Sequence, residues 1–215
     1  LRLTSDIVRV GQMLSGSTVR TTLGCNNFNS GAKSSVLGGC LNRLSTECSV
    51  IGGGKGNCVE VSNTAAIVGG QDNKTQGFVS FIGAGCNNTT SGGYSVIVGG
   101  RSNCNNGSCG VVIGGANNCL SNGAGNIIGA GDCNFMNSAC SMIGAGRCNR
   151  INRPVMVTST FSTILNGCKN QVTGSYSLVG GGCQNIITEA SCRGTILNGK
   201  DNCLTHDDSY IIGSD

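Results

Sequence analysis

Asparagine returns along this chain at a nearly constant spacing, and this period limits what the chain can fold into more than any other feature. Most steps are 15 or 16 residues, and the two exceptions are 21 and 17 residues. A sustained period is typical of repeat proteins, in which each unit stacks on the next. The asparagines are Asn27, Asn42, Asn57, Asn73, Asn88, Asn103, Asn118, Asn134, Asn149, Asn170, Asn185 and Asn202.

The residues around the asparagine also recur, and we number the repeat so that the asparagine is column nine. Column six is glycine from Gly39 to Gly199, and column eleven is a looser apolar column interrupted by Thr75, Thr90 and Asn105. Column three is Thr21 in the unit of Asn27 and isoleucine or valine in every later unit: Val36, Ile51, Ile67, Ile82, Ile97, Val112, Ile128, Ile143, Ile164, Val179, Ile196 and Ile211. β-Branched residues in short runs bounded by glycine and asparagine favour strands and tight turns, whereas no apolar spacing near 3.6 residues indicates a helix.

This pattern predicts an all-β fold, a parallel β-solenoid of about 12 coils with two short strands per 15-residue repeat. Column three is expected to fill the coil interior, and column six to occupy a turn with positive φ. Column nine is expected to form an amide ladder from coil to coil, and asparagine also tolerates left-handed backbone at turns.

The composition argues against a flexible linker, a nucleic-acid-binding protein and a membrane-spanning segment. The chain has 37 glycines, one proline and only 11% charged residues, and its glycines recur in register with aliphatic residues, unlike those of a flexible linker. The net charge of +4 is mild and the basic residues are scattered, so we expect no nucleic-acid partner. No apolar run approaches the 18 or so residues of a membrane span, and no cofactor is expected.

The predicted organisation is a cap or junction over residues 1–18, with a short strand at Ile7-Val8-Arg9-Val10, followed by one solenoid domain over residues 19–215. The chain begins without methionine and ends within a repeat, so we expect a fragment of a longer protein. The pattern is interrupted near residues 150–160, where a loop insertion is expected. Loops of this kind often bind partners, and the basic residues Arg147, Arg150 and Arg153 make this one a candidate binding loop, with an indifferent surface loop as the alternative.

The unit Ser91-Gly92-Gly93-Tyr94-Ser95-Val96-Ile97-Val98-Gly99-Gly100 resembles the head repeats of YadA-type trimeric autotransporter adhesins and the related repeats of phage and large-virus fibres. The resemblance covers residues 19–215 and implies a left-handed parallel β-roll, three copies of which pack side by side. It implies no catalytic residue. The period of 15 rather than about 14 and the 15 cysteines depart from the bacterial pattern, so the resemblance bears on the fold more than on the source.

The residues themselves favour the trimer independently. Columns two and four flank column three and point to the opposite face of the strand, yet both are largely apolar. A strand that is apolar on both faces is buried on both faces, so we expect a homotrimer to cover the outer one. The interface residues predicted from column two are Val50, Phe81, Val96, Val111, Ile127, Met142 and Leu178.

The cysteines fall in a few columns, and four pairs share a column on successive coils. We expect each pair to be in contact and to lie within disulfide range. The alternative is that cysteine serves as a small buried filler in a reducing compartment. The pairs are Cys25 with Cys40, Cys104 with Cys119, Cys133 with Cys148, and Cys168 with Cys183.

The sequence predicts a structural or adhesive segment of a surface fibre or spike, on a virion or cell surface, that attaches to a host glycan or protein receptor. A passive spacer is the closest alternative. His206 stands beside Asp207 without a nucleophile at a recognisable spacing, and there is no phosphate loop or carboxylate pair, so we expect no enzyme. An ice-binding solenoid and a glycan-cleaving tail-spike-like enzyme remain alternatives, although no regular threonine column is present.

Overall fold

The protein is a parallel β-solenoid in which every coil contributes one strand to each of two sheets. The computed structural model describes residues 20–61, 63–152 and 161–213. The predicted cap over 1–18, its strand at Ile7-Val8-Arg9-Val10, and most of the predicted insertion lie outside these residues. The repeat domain begins in the structure at Arg20, the first residue of the first strand.

The first sheet has 13 parallel strands, each containing columns two and three of a coil, and each strand pairs with those of the coils before and after it. Its strands are β1 (Arg20–Thr22), β3 (Ser34–Val36), β5 (Val50–Ile51), β7 (Ala66–Ile67), β9 (Phe81–Ile82), β11 (Val96–Ile97), β13 (Val111–Val112), β15 (Ile127–Ile128), β17 (Met142–Ile143), β19 (Thr163–Ile164), β21 (Leu178–Val179), β23 (Thr195–Ile196) and β25 (Tyr210–Ile211).

The second sheet has 12 parallel strands built on columns ten and eleven. Its strands are β2 (Phe28–Asn29), β4 (Arg43–Leu44), β6 (Cys58–Val59), β8 (Lys74–Thr75), β10 (Thr89–Thr90), β12 (Cys104–Asn105), β14 (Cys119–Asn122), β16 (Phe135–Asn137), β18 (Arg150–Asn152), β20 (Gln171–Val172), β22 (Ile186–Ile187) and β24 (Cys203–Leu204).

The core lies between the two sheets and consists of columns three and eleven. Every column-three residue from Val36 to Ile196 is fully buried, and Ile211 is partly buried. Column eleven packs against it, with Leu44 and Leu120 among the largest buried side chains. Burying one such aliphatic side chain contributes about 1.5–3 kcal/mol, and the contribution repeats in each coil. The interior predicted from the isoleucine and valine column is therefore confirmed.

Column nine forms the predicted ladder. The Asn103 N–H donates to Asn88 Oδ1 at 3.0 Å, and the Asn118 N–H donates in turn to Asn103 Oδ1 at 3.0 Å. The Asn103 side-chain amide also donates to the carbonyls of Gly99, at 3.1 Å, and Gly115, at 3.0 Å. Since a buried amide without partners is costly, this column joins each coil to the next with side-chain hydrogen bonds that few residues other than asparagine offer.

Column six is glycine because the ladder leaves no room beside it. Gly100 has a φ of 94°, and a Cβ at this position would lie 2.2 Å from the Gly115 carbonyl oxygen and 2.6 Å from Asn103 Nδ2. The positive φ predicted here is confirmed. Left-handed residues other than glycine, however, occur at column eight, as at Asn87 and Ser102, and in the turn before the first strand, as at Tyr94, but not at the column-nine asparagine itself. The column-nine side chain forms the ladder, and the left-handed residue of this turn is the one before it, at column eight.

A second ladder runs along column one, and the sequence analysis missed it. Ser34 Oγ accepts the Ser49 N–H, and Ser162 Oγ accepts the N–H of Ser177 one coil later. These serines are buried. The recurrence of serine immediately before the strand was the available signal, but serine is common in turns and the pattern did not stand out.

Candidate functional site

The outer surface of the 13-stranded sheet carries the residues predicted for the trimer interface. Column three points into the core, so column two points outward, and it is half-buried or exposed throughout the predicted set. Val50 and Ile127 are each 40% exposed and Phe81 is 37% exposed, which are high values for large apolar side chains. From Val50 to Met142 the column is an unbroken apolar run of Cα partners on successive coils, as Val96 is of Val111, and Thr163 then separates Met142 from Leu178.

Column four extends this apolar surface at the edge of the same sheet. The aliphatic residues of this column, such as Val68 and Val98, are exposed, and glycines such as Gly83 lie between several of them. A Cβ at Gly83 would lie 2.4 Å from the Val98 carbonyl oxygen, and one at Gly180 would lie 2.5 Å from that of Leu197. The glycines are therefore required by the close approach of the next coil, and they leave recesses between the aliphatic side chains.

The outer surface of the 12-stranded sheet differs in chemistry. Column ten, which points outward there, is mixed in charge, polarity and size. Lys74 forms an ion pair with Glu60 of the preceding coil, and Arg43 lies over the ring of Phe28 at 5.7 Å. Only one of the two sheets therefore carries a long apolar outer surface in the described part of the chain.

The two described arginines of the predicted binding loop, Arg147 and Arg150, make separate contacts. Arg147 is exposed, and its Nε lies 3.9 Å from Asp132 Oδ2 on the preceding coil. Arg150 lies in β18, with its guanidinium 4.8 Å from the centre of the Phe135 ring. Arg153 lies outside the described residues. The two described arginines are thus each held by the coil before them, and neither contact depends on the loop.

None of the fifteen cysteines lies in the core. Each is exposed or partly exposed, and all are free thiols. The interpretation of cysteine as a buried filler is therefore wrong, and the physical reason is that the columns in which cysteine occurs point outward or lie in turns. Five of these cysteines occupy left-handed turn positions with φ between 51° and 56°: Cys48, Cys109, Cys133, Cys140 and Cys148.

The four predicted cysteine pairs stand at equivalent positions on neighbouring coils. Cys104 and Cys119 are Cα partners in β12 and β14. The backbones of Cys25 and Cys40 pair in parallel in column seven, and so do those of Cys168 and Cys183. For Cys133 and Cys148 it is the preceding residues, Asp132 and Arg147, that pair. Partners in adjacent parallel strands are about 4.8 Å apart, which lies within the separations of roughly 4.4–6.8 Å that disulfides span.

Cys104 and Cys119 interact more strongly than the neighbouring cysteines. A hydrogen bond from Cys119 lowers the pKa of the Cys104 thiol to about 7, and the same bond together with burial raises the pKa of Cys119. Cys58, which occupies the same column, has its pKa raised by burial and by the nearby Glu60 carboxylate. Hydrogen bonding to a thiolate favours the charged form, so at pH 7 about half of Cys104 is thiolate while Cys119 keeps its proton.

The remaining candidates for chemistry stay apart. His206 is exposed, and its Nδ1 lies 3.0 Å from the hydroxyl of the adjacent Thr205. Within residues 20–61, 63–152 and 161–213, no group of three or more histidine, cysteine or acidic side chains is arranged to hold a metal ion. The described strands and turns include no helix long and apolar enough to cross a membrane.

A scan against protein-family models matches no family, and a search of curated proteins finds no match to this chain. The function of the protein is therefore inferred from the geometry of the two sheet surfaces and of the cysteine columns.

Proposed function

We propose that this chain is a structural and adhesive segment of a surface fibre or spike, on a virion or on a cell surface, and that it works as a homotrimer without catalysing a reaction. The observation that carries the proposal is the apolar run from Val50 to Met142 on the outer surface of the 13-stranded sheet. A rigid rod with one apolar side suits lateral assembly, since contiguous exposed apolar patches of this kind mark interaction sites.

Three copies related by a threefold axis would each bury columns two and four against a neighbour. The aliphatic residues and glycine recesses of column four provide raised and lowered positions along the same edge, as at Val98 and Gly83. Interfaces of long-lived homo-oligomers are more apolar than the rest of the surface, which fits this side and not the mixed surface of the other sheet. The left-handed β-roll winding belongs to this proposal too, and it rests on the resemblance to trimeric adhesin heads.

The test is the mass of the protein in solution, measured by light scattering or sedimentation. The unmodified chain is expected to sediment as a trimer. Ile127→Asp should dissociate it, because the charge would be buried in the interface. Ile186→Asp is the matched control: Ile186 lies on the outer surface of the other sheet and is 39% exposed, against 40% for Ile127. A monomeric unmodified chain, or equal effects of the two changes, would contradict the trimer.

Attachment itself is tested separately from assembly. We propose a host-surface glycan or a protein receptor as the ligand, and the purified trimer is expected to bind a subset of a glycan array or to label host cells. A trimer that binds neither would be a spacer that holds a receptor-binding part away from the surface. That result would leave the fibre proposal intact and remove the adhesive part of it.

The two alternative functions gain no support from a specific observation. Among the described residues, the outward column ten contains cysteine, lysine, arginine, glutamine and aromatic residues, so it offers no regular threonine array for ice. Thermal hysteresis of the purified protein would be the sign of ice binding. Turnover of a glycan that is lost on changing His206 or Asp208 would be the sign of an enzyme.

A further inference from the structure

We propose that Cys104 and Cys119 form a thiol–disulfide exchange site on the outer surface of the 12-stranded sheet. Its co-reactant is a small-molecule disulfide, and the product is a bond that joins two neighbouring coils. The site lies apart from the proposed trimer interface, since it is on the sheet that this interface does not use.

The register of β12 and β14 places the two cysteines side by side. Cys104 and Cys119 are one repeat apart and are direct Cα partners in adjacent parallel strands. Their side chains therefore leave the sheet on the same side at a separation of about 4.8 Å. The pairing is fixed by backbone hydrogen bonds on either side, including Cys104 N–H to the Asn118 carbonyl at 2.8 Å and Asn106 N–H to the Leu120 carbonyl at 2.8 Å.

The residues on either side of the cysteine pair in column ten are uncharged. The strand before Cys104 offers Thr89 as its partner, and the strand after Cys119 offers Phe135, so neutral side chains flank the pair along the column. Both thiols are partly exposed and accessible to a small reagent. By contrast, Cys58 in the same column stands between Arg43 and Lys74 and has no cysteine partner on either adjoining strand.

The two thiols of the pair have different roles. The Cys104 thiol has a pKa of about 7 because Cys119 hydrogen-bonds to it, so at neutral pH Cys104 is the nucleophile and Cys119 keeps its proton. A reactive thiol beside a second thiol that can resolve the intermediate is the arrangement that dithiol exchange requires.

The reaction is balanced in two steps. The Cys104 thiolate attacks one sulfur of a small disulfide, a Cys104–S–S–R bond forms, and one RS⁻ leaves. Cys119 then loses its proton and attacks the Cys104 sulfur, which forms the Cys104–Cys119 disulfide and releases the second RS⁻. The two protein thiols are oxidised, the small disulfide is reduced to two thiols, and the two protons pass to the two leaving thiolates.

The first experiment measures the alkylation rate of each cysteine in the full chain by iodoacetamide and mass spectrometry, from pH 5 to pH 9. The Cys104 rate is expected to rise with a midpoint near pH 7. At pH 7 about half of Cys104 is thiolate, against about one hundredth of an ordinary thiol with a pKa of 9. The lower nucleophilicity of the less basic thiolate offsets part of this, which leaves Cys104 about sixfold faster than a thiol with a pKa of 9 and faster still than Cys58, whose pKa is raised above that value. Equal rates at the two positions would overturn the assignment of Cys104 as nucleophile.

The second experiment treats the full chain with oxidised glutathione at pH 7 and maps the products. The wild type is expected to yield the Cys104–Cys119 bond without a retained adduct, and Cys119→Ser to stop at a glutathione adduct on Cys104. Cys58→Ser is the matched control and should leave the bond unchanged. If the wild type also stops at the adduct, the exchange site is refuted. If the serine variant fails to fold, the wild-type product still decides the question.

Discussion

Two stretches of the solenoid share one backbone and differ in their interior. In three central coils, column eleven is Thr75, Thr90 and Asn105, whereas in later coils it is Leu120, Met136 and Ile151, and all six are fully buried. The strands keep direct register in the polar stretch, and the described irregularity in strand pairing lies in the apolar stretch, between Leu120 and Asn122. An apolar column eleven is therefore not what sets the register of a coil.

In the polar stretch, column eleven itself carries an energetic cost, whereas in the apolar stretch the described buried polar atoms without a partner, Asn137 Oδ1 and Ser138 Oγ, lie outside that column. The hydroxyls of Thr75 and Thr90 and the carbonyl oxygen of Asn105 are buried and have no hydrogen-bond partner within the described residues. The Asn105 amide does donate, to the carbonyls of Val96 at 3.0 Å and Gly110 at 2.8 Å. Shape in both stretches follows from columns three, six and nine, while column eleven adjusts stability.

The largest expected effect is common to both stretches. Asn88→Ala, in a polar coil, and Asn149→Ala, in an apolar coil, should each destabilise the protein by roughly 3–5 kcal/mol. The first removes four side-chain hydrogen bonds and the second removes three, and each leaves a buried N–H of the next coil unpaired. Urea unfolding measures both. Losses that differ by more than about 1.5 kcal/mol would mean that column eleven contributes to the ladder after all.

The second prediction separates the two stretches. Leu120→Ala should cost about 2–5 kcal/mol, because it removes buried methyl groups and leaves a cavity. Thr90→Ala should cost about 1 kcal/mol or less, because the lost methyl contact is offset by removal of an unpaired hydroxyl. Urea unfolding midpoints of the two variants give the comparison. Equal losses would show that the polar interior packs as tightly as the apolar one.

The third prediction uses two adjacent threonines of one strand. Thr90→Val should stabilise the protein by up to about 1 kcal/mol, since it replaces a buried hydroxyl without a partner by a methyl of similar size. Thr89→Val, the outward neighbour in β10, is the control and should change stability by less than about 0.5 kcal/mol. Thermal unfolding of both variants is the measurement, and a destabilised Thr90→Val would mean that the hydroxyl is paired.

The smallest expected effect is that of pH on the polar stretch. A hydrogen bond from Lys74 lowers the pKa of the Glu60 carboxyl below its usual value, so folding favours the ionised form. This contribution is present above the unfolded pKa near 4.5 and is lost as the pH falls through the lower folded pKa. Since both side chains are partly exposed, it stays below about 1 kcal/mol. Glu60→Gln should lower the melting temperature slightly at pH 7 and not at pH 3; a difference that persists at pH 3 would contradict the ion-pair explanation.

The sequence was sufficient for the repeat, the two strands per coil, the buried column three and the glycine turns, because each depends on a residue type that recurs in register. It was also sufficient for the asparagine ladder, since few other side chains offer both the donor and the acceptor that the ladder uses. The burial of the cysteine columns was harder to infer from the sequence. Cysteine is among the most buried residue types on average, yet column ten points outward, and a general preference does not reveal which way a column points.

Other parts of the candidate site were beyond the sequence for physical reasons. The lowered pKa of Cys104 arises from a neighbour fifteen residues away, and the spacing alone did not indicate which of four similar pairs would interact in this way. The serine ladder of column one was missed because serine's preference for turns gives the same pattern without any ladder. The threefold assembly remains a prediction from the apolar columns, since a single chain carries only one side of an interface.

The ladder continues across the longest gap in the repeat. Asn149 and Asn170 are 21 residues apart instead of 15, yet the Asn170 N–H still donates to Asn149 Oδ1 at 3.0 Å, and Met142 still pairs with Thr163. The spacing of the coils along the axis is therefore set by the hydrogen-bonded columns and not by the number of residues between two asparagines. Repeats of unequal length can accordingly stack with the same axial rise in a protein of this design.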